Sequence, residues 1–94
     1  MTQQHSDLLE LKNLGAASVN ILYAIGIHSI QELRRMGAVE AYNRIRARGI
    51  QVSKVMLYAL EGALIDVHWN QLDPALKNEL LEKAELAESD LTEN

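Results

Sequence analysis

The chain has 94 residues, a net charge of −4 and no cysteine. That length fits one domain, and the absence of thiols excludes disulfides, cysteine nucleophiles and cysteine-based zinc sites. Its 48% apolar share contains no Phe, one Trp and three Tyr, so the core is expected to be aliphatic. Met1–Ser6 has neither a basic nor an apolar leader segment, and no apolar run approaches the roughly 18 residues of a membrane span. A cytoplasmic protein with no membrane partner is the expectation.

Five or six short helices and no strand are predicted, forming a compact all-α single domain over residues 1–94, with its core at about 7–87 and frayed ends. Asp7 to Asn13, carrying Leu8, Leu9, Leu11 and then Leu14, reads as a short first helix opened by Ser6 or Asp7 and ended by Gly15. Ala17 or Ser18 starts a second, with Val19, Leu22 and Ile25 on one face and Gly26 at its close. Ser29 caps a third, in which Ile30, Leu33 and Met36 recur at helical spacing before Gly37. Val39 to Arg48 forms a fourth, with Ala41, Tyr42 and Ile45 inward and Gly49 beyond its end. Ser53 caps the fifth, Lys54 to Val67, which is apolar nearly all round and so becomes the buried central rod. Asp73-Pro74 opens the last helix with an acid cap and proline at its first position. Its Leu76, Leu80, Leu81 and Ala84 face inward, and fraying is expected past about Glu88.

Catalytic or metal chemistry finds no support in the residue spacing. His5, His28 and His68 have no second ligand at helical spacing, so no metal site and no cofactor are predicted. His28 fills a turn and His68 packs at a helix end. No serine sits in a Gly-x-Ser-x-Gly elbow and no glycine-rich loop follows a strand. Asp66 and His68 fall on different faces of a helix.

Charge distribution is more informative than net charge. His28 to Lys54 holds six cations against two anions, whereas Lys77 to Asn94 holds two cations against six anions. Arg34 and Arg35 lie in the last turn of one predicted helix, and Arg44, Arg46 and Arg48 in the last turns of the next. Cations there are favoured by the helix dipole, by about 0.3–1 kcal/mol each when exposed, and Glu40 with Arg44 forms an i,i+4 pair. The bland reading is a solvated face; the functional one is a single arginine wall that meets an anionic partner. Asn13, Gly15, Ala16 and Ser18 form a tight connection that could bring backbone amides to a phosphate, as the glycine-rich turn of helix-hairpin-helix modules does. Asn13 stands where that turn has its first glycine. Asn tolerates left-handed backbone geometry, but its side chain would crowd a close phosphate. Tyr58 and Trp69 are candidate protein-docking residues, with anchoring of the last helix as the structural reading of Trp69.

Five strings give these elements a family likeness: Leu11-Lys12-Asn13-Leu14-Gly15, Ile25-Gly26-Ile27-His28-Ser29, Leu33 through Tyr42 with its Gly37-Ala38-Val39-Glu40-Ala41-Tyr42 run, Leu57-Tyr58-Ala59-Leu60-Glu61-Gly62-Ala63-Leu64, and His68-Trp69. From about Leu9 to Leu81 the chain resembles the C-terminal domain of TfoX/Sxy regulators. The resemblance implies an all-helical, helix-hairpin-helix or SAM-like bundle related to the C-terminal domain of the RNA polymerase alpha subunit. It also implies a bacterial, cytoplasmic regulator of DNA-transformation competence that works with the cyclic-AMP receptor protein. Those regulators normally carry a further N-terminal domain, so this chain is expected to be a stand-alone copy. The family motif supplies no catalytic residues. The combined expectation is a non-enzymatic binding module that docks on a transcription factor, on RNA polymerase or on a second copy of itself. The alternative is non-specific DNA binding through the 13–18 hairpin and the arginines. Docking is preferred because the isoelectric point is 5.2 and the hairpin lacks one glycine.

Overall fold

A computed structural model describes the backbone of residues 7–92 and the side chains of residues 7–85. The expected fraying of the N-terminus and the expected Ser6 cap concern residues outside those described. Among the described residues there are five helices, α1 (Ala16–Ala24), α2 (Ile30–Met36), α3 (Ala38–Ala47), α4 (Lys54–Ile65) and α5 (Pro74–Thr92), together with single 3-10 turns at Asp7–Glu10 and Trp69–Gln71. No strand occurs among the described residues, and the all-α class follows directly. α5 runs as helix to Thr92, beyond the expected fraying point near Glu88.

α4 is the buried centre that its sequence predicts. Seven of its 12 residues, Met56 to Leu60 with Gly62 and Ala63, are buried. α3 packs against α1, α2, α4 and α5, and α4 packs against α3, α5 and the Trp69 turn. Leu8, Leu22, Ile27, Leu33, Ile45, Leu57 and Leu60 are the largest fully buried side chains, an aliphatic core with no aromatic ring among them. α4 stops two residues earlier than its apolar run. Asp66 turns left-handed at φ 62, and the Val67 amide donates back to the Gly62 carbonyl at 2.8 Å.

The N-terminal segment departs most from expectation. Asp7–Glu10 is a 3-10 turn, not the start of an α-helix reaching Asn13, and it still buries Leu8 completely. Asn13, at φ 72, is the residue that reverses the chain. Gly15 does not end a helix; it is the extended N-cap of α1 at φ −105, and no side chain caps that end. α1 therefore begins at Ala16, earlier than Ala17 or Ser18.

α2 has only seven residues, too short to persist on propensity alone, so its start is fixed by side chains. Ser29 Oγ accepts from the Glu32 amide at 3.1 Å, Glu32 Oε1 accepts from the His28 amide at 2.6 Å, and Asp7 Oδ1 accepts from the Ile30 amide at 3.1 Å. Ser29→Ala is expected to cost about 1 kcal/mol, the usual worth of an N-cap, lowering the melting temperature by about 4–8 °C for a domain of this size; thermal unfolding followed by circular dichroism checks it. α2 passes to α3 through Gly37 alone, at φ 86 and ψ 160, a conformation open only to glycine. Asp73 Oδ1 accepts from the Ala75 amide at 3.1 Å, which confirms the Asp-Pro start of α5.

Candidate interaction surface

The 13–18 hairpin is built around an amide that faces inward. Asn13 Nδ2 donates to the Ala59 carbonyl at 3.3 Å and to the Val67 carbonyl at 3.0 Å, and its Oδ1 accepts from the Trp69 amide at 3.1 Å. Both ends of the side chain are thus engaged by α4, the loop after it and the Trp69 turn. Asn13 does not stand in the way of a phosphate, as the sequence reading supposed; it pins the hairpin to the core. Gly62 lies beneath this amide, where an added Cβ would fall within van der Waals overlap of both Asn13 Nδ2 and the Val67 carbonyl oxygen. Outside the pin, Gly15 and Ala16 are exposed and Ser18 is half-buried. Ser18 lines a shallow concavity with Val52, Val55, Met56 and Trp69.

The five arginines do not form one wall. At about 100° per residue, Arg44 and Arg46 lie about 160° apart around α3, with the buried Ala41–Ile45 stripe between Arg46 and Arg48. Arg44 pairs with Glu40 at 2.8 Å on one edge. On that edge too, Arg48 donates to the Ala24 carbonyl at 2.6 Å, closing the C-terminus of α1 as cations do. Arg46 takes the other edge, its guanidinium 4.8 Å above the Tyr42 ring. Arg34 and Arg35 are exposed on α2. Clustering along the sequence became separation in space because helix rotation governs direction.

Of the two docking residues, Tyr58 offers no free aromatic face. Tyr58 is only 8% exposed, so it belongs to the core and not to an open surface. The Lys77 ammonium lies 5.3 Å from the Tyr58 ring and 5.6 Å from the Trp69 ring, tying both to α5. Trp69 is half-buried and its neighbour His68 bonds Asn70 at 2.8 Å. No cluster suited to a metal ion occurs among the described residues.

A groove that sequence reasoning missed runs between the α2–α3 junction and α5. Met36, Val39, Leu76 and Leu80 give it an apolar lining, with Glu40, Glu61, Glu79 and Lys83 around it. Glu79 pairs with Lys83 at 3.1 Å and Glu40 with Arg44, but half-buried Glu61 has no ion-pair partner among the described residues. The available signal was a single carboxylate between Lys54 and Asp66 in an otherwise apolar helix.

With this geometry in view, residues 4–84 match the family model of the TfoX C-terminal domain. The chain belongs to that family. It is 35% identical over 78 residues to Protein Sxy of Escherichia coli (strain K12), covering 83% of this chain but 37% of Sxy. The chain thus spans little more than a third of that relative's length. An uncharacterised Listeria monocytogenes protein solved in a triclinic form is 38% identical, with a TM-score of 0.78 over 86% of this chain and 92% of that one. A tetragonal-form structure of a Listeria monocytogenes protein of unknown function is also 38% identical, with a TM-score of 0.75 over 84% and 96%. The strings by which this TfoX C-terminal domain resembles its family are largely architectural. Gly37 to Tyr42 is the one-residue helix junction and the inner face of α3, and Leu57 to Leu64 is the buried length of α4 with the close-packed Gly62.

Proposed function

We propose that this TfoX C-terminal domain is a non-enzymatic docking module that serves transcriptional regulation of DNA-transformation competence by binding another protein. The observation that carries the reading is the state of the phosphate-binding candidates. Asn13 is engaged inside the fold, and Arg44, Arg46 and Arg48 are engaged by Glu40, Tyr42 and the Ala24 carbonyl. Arg44 is neutralised by Glu40, and Arg46 and Arg48 diverge around α3, so these candidates do not make one continuous cationic track for a duplex, while an apolar groove lined by Met36, Val39, Leu76 and Leu80 stays open. Family membership and the likeness to Sxy supply the regulatory context. The cyclic-AMP receptor protein, which the resemblance implies, and RNA polymerase are the first partners to try.

A second reading has its own support. The first-turn amides of α1 at Ala16, Ala17 and Ser18 have no side-chain cap and could meet a DNA phosphate. Titration of labelled duplex DNA separates the two readings. Docking predicts no saturable binding at about 0.15 M salt and only weak, sequence-independent binding at about 0.02 M. Retention of purified receptor protein or polymerase by the immobilised chain supports docking. Tight DNA binding that survives the higher salt, with neither protein retained, overturns it.

A further inference from the structure

The groove between the α2–α3 junction and α5 joins an apolar floor to an acidic rim. Met36, Val39, Leu76 and Leu80 form the floor, and Glu40, Glu61 and Glu79 outnumber Lys83 around it. Glu40 and Glu79 hold Arg44 and Lys83. Glu61 differs: it is half-buried and has neither an ion-pair nor a hydrogen-bond partner among the described residues. The start of α3 lines the same groove without a side-chain cap. None of its amides donates to Glu61, so only the field of that helix end offsets the charge. A carboxylate partly withdrawn from water without a partner costs free energy that an incoming cation recovers. The occupant therefore brings apolar side chains and at least one cation, and an acidic segment is repelled. From Leu76 to Lys83 the groove follows α5 for about 10 Å, or about two helical turns. No sheet edge exists among the described residues to pair an extended peptide. The occupant must satisfy its own backbone groups, as an amphipathic helix does.

We propose that this groove docks a cationic amphipathic helix of a partner protein, with apolar side chains one turn apart against the Met36–Val39 and Leu76–Leu80 walls and an arginine or lysine paired with Glu61. The inference deepens the docking reading by naming a surface and the chemistry of its partner, and it rests on that reading. Two turns of helix bury little area, so the contact belongs at the low end of interface sizes, below about 1,200 Å² in total, and forms reversibly. Its ion pair is only partly shielded and therefore weakens as salt rises.

Amide NMR spectra of the isotope-labelled full chain, titrated with two synthetic helices, provide the test. Both are alanine-based peptides of about 15 residues, the length at which isolated helices persist, with leucines at i, i+4 and i+7. One carries arginines along both edges of the leucine stripe, the other glutamates at the same positions. At about 0.02 M salt the arginine helix is expected to shift the amides of Met36, Val39, Glu61, Leu76 and Leu80 with a dissociation constant of about 0.1–1 mM, and the glutamate helix to bind about tenfold more weakly or worse. Glu61→Gln, nearly isosteric, weakens the arginine helix about three- to fivefold, and Glu61→Arg favours the glutamate helix. Glu82→Gln makes the same charge change at an exposed position of α5 outside the groove and leaves the affinity unmoved. Circular dichroism verifies helicity in each chain. Groove amides that stay unshifted up to about 2 mM arginine helix overturn the proposal, as does an affinity indifferent to Glu61→Gln or equally reduced by Glu82→Gln. Retention of receptor protein or polymerase reports on docking separately, so a silent groove beside a retained partner removes this surface and leaves that reading intact.

Discussion

Gly62→Ala is expected to destabilise the domain by about 2 kcal/mol, reversing the sign that helix propensity gives. Alanine in an exposed helix interior is favoured over glycine by about 0.8–1 kcal/mol, partly because it restricts the unfolded chain. Here the new methyl would sit 2.4 Å from the Val67 carbonyl oxygen and 2.6 Å from Asn13 Nδ2. The first neighbour is backbone, held by the left-handed turn at Asp66, so it cannot swing aside. Overpacking of a well-packed site costs about 1–3 kcal/mol, and displacing Asn13 leaves buried carbonyl and amide groups short of partners at about 1–3 kcal/mol more. The two costs exceed the propensity gain. For a domain of this size a 2 kcal/mol loss lowers the melting temperature by about 8–16 °C. Thermal unfolding of the variant by circular dichroism tests this; a melting temperature equal to or above the wild type would show that the α4–Val67 contact yields easily.

This close approach marks the boundary between what the sequence reveals and what it hides. Local punctuation is legible because its partners are near. Ser29 bonds three residues ahead, Asp73 two residues ahead, and Gly37 needs only its own backbone. The apolar run of α4 likewise announces burial without reference to any other segment. Asn13 differs. Its partners Ala59, Val67 and Trp69 are 46, 54 and 56 residues away. Only the folded chain shows why an asparagine, rather than Gly15, reverses the backbone there, and why residues 7–10 make a 3-10 turn that ends short of a helix.

The candidate surface was harder to read for a related reason. Arg44, Arg46 and Arg48 alternate along the sequence, and that proximity suggests one patch. On a helix, alternate residues point to nearly opposite sides, so Arg46 stacks on Tyr42 while Arg48 reaches the end of α1. Tyr58 was misplaced by the opposite error, since α4 is apolar all round and leaves no outer face for a docking ring. Glu61 went unnoticed inside a string dominated by core residues. Its lack of a partner is a property of three surrounding helices and is invisible along any one of them.

Asn13→Ala should be the most damaging single polar substitution among the described residues, at about 3 kcal/mol. Two effects add. The residue sits at φ 72, where an ordinary L side chain costs about 1–2 kcal/mol that asparagine largely avoids. The truncation also removes two donated bonds and one accepted bond, leaving the Trp69 amide and the Val67 carbonyl without their partner in a part-buried site. A buried group stripped of its partner costs about 1–3 kcal/mol, although water entering from the adjoining concavity would lessen it. Asn13→Gly separates the terms, because it keeps the backbone conformation and loses only the side chain. It should fall between wild type and alanine, about 1 kcal/mol above the latter. The single tryptophan, Trp69, gives a direct reporter, its own amide being one end of the lost bond. Urea unfolding followed by its fluorescence measures both variants. The Asn13→Ala/Gly62→Ala pair should then be strongly non-additive, since the side chains share one contact: with the amide gone, the added methyl meets only the Val67 carbonyl. Simple addition of the two single effects would mean that Asn13 and Gly62 stabilise the hairpin independently, contrary to the geometry that sets the amide of one against the Cα of the other.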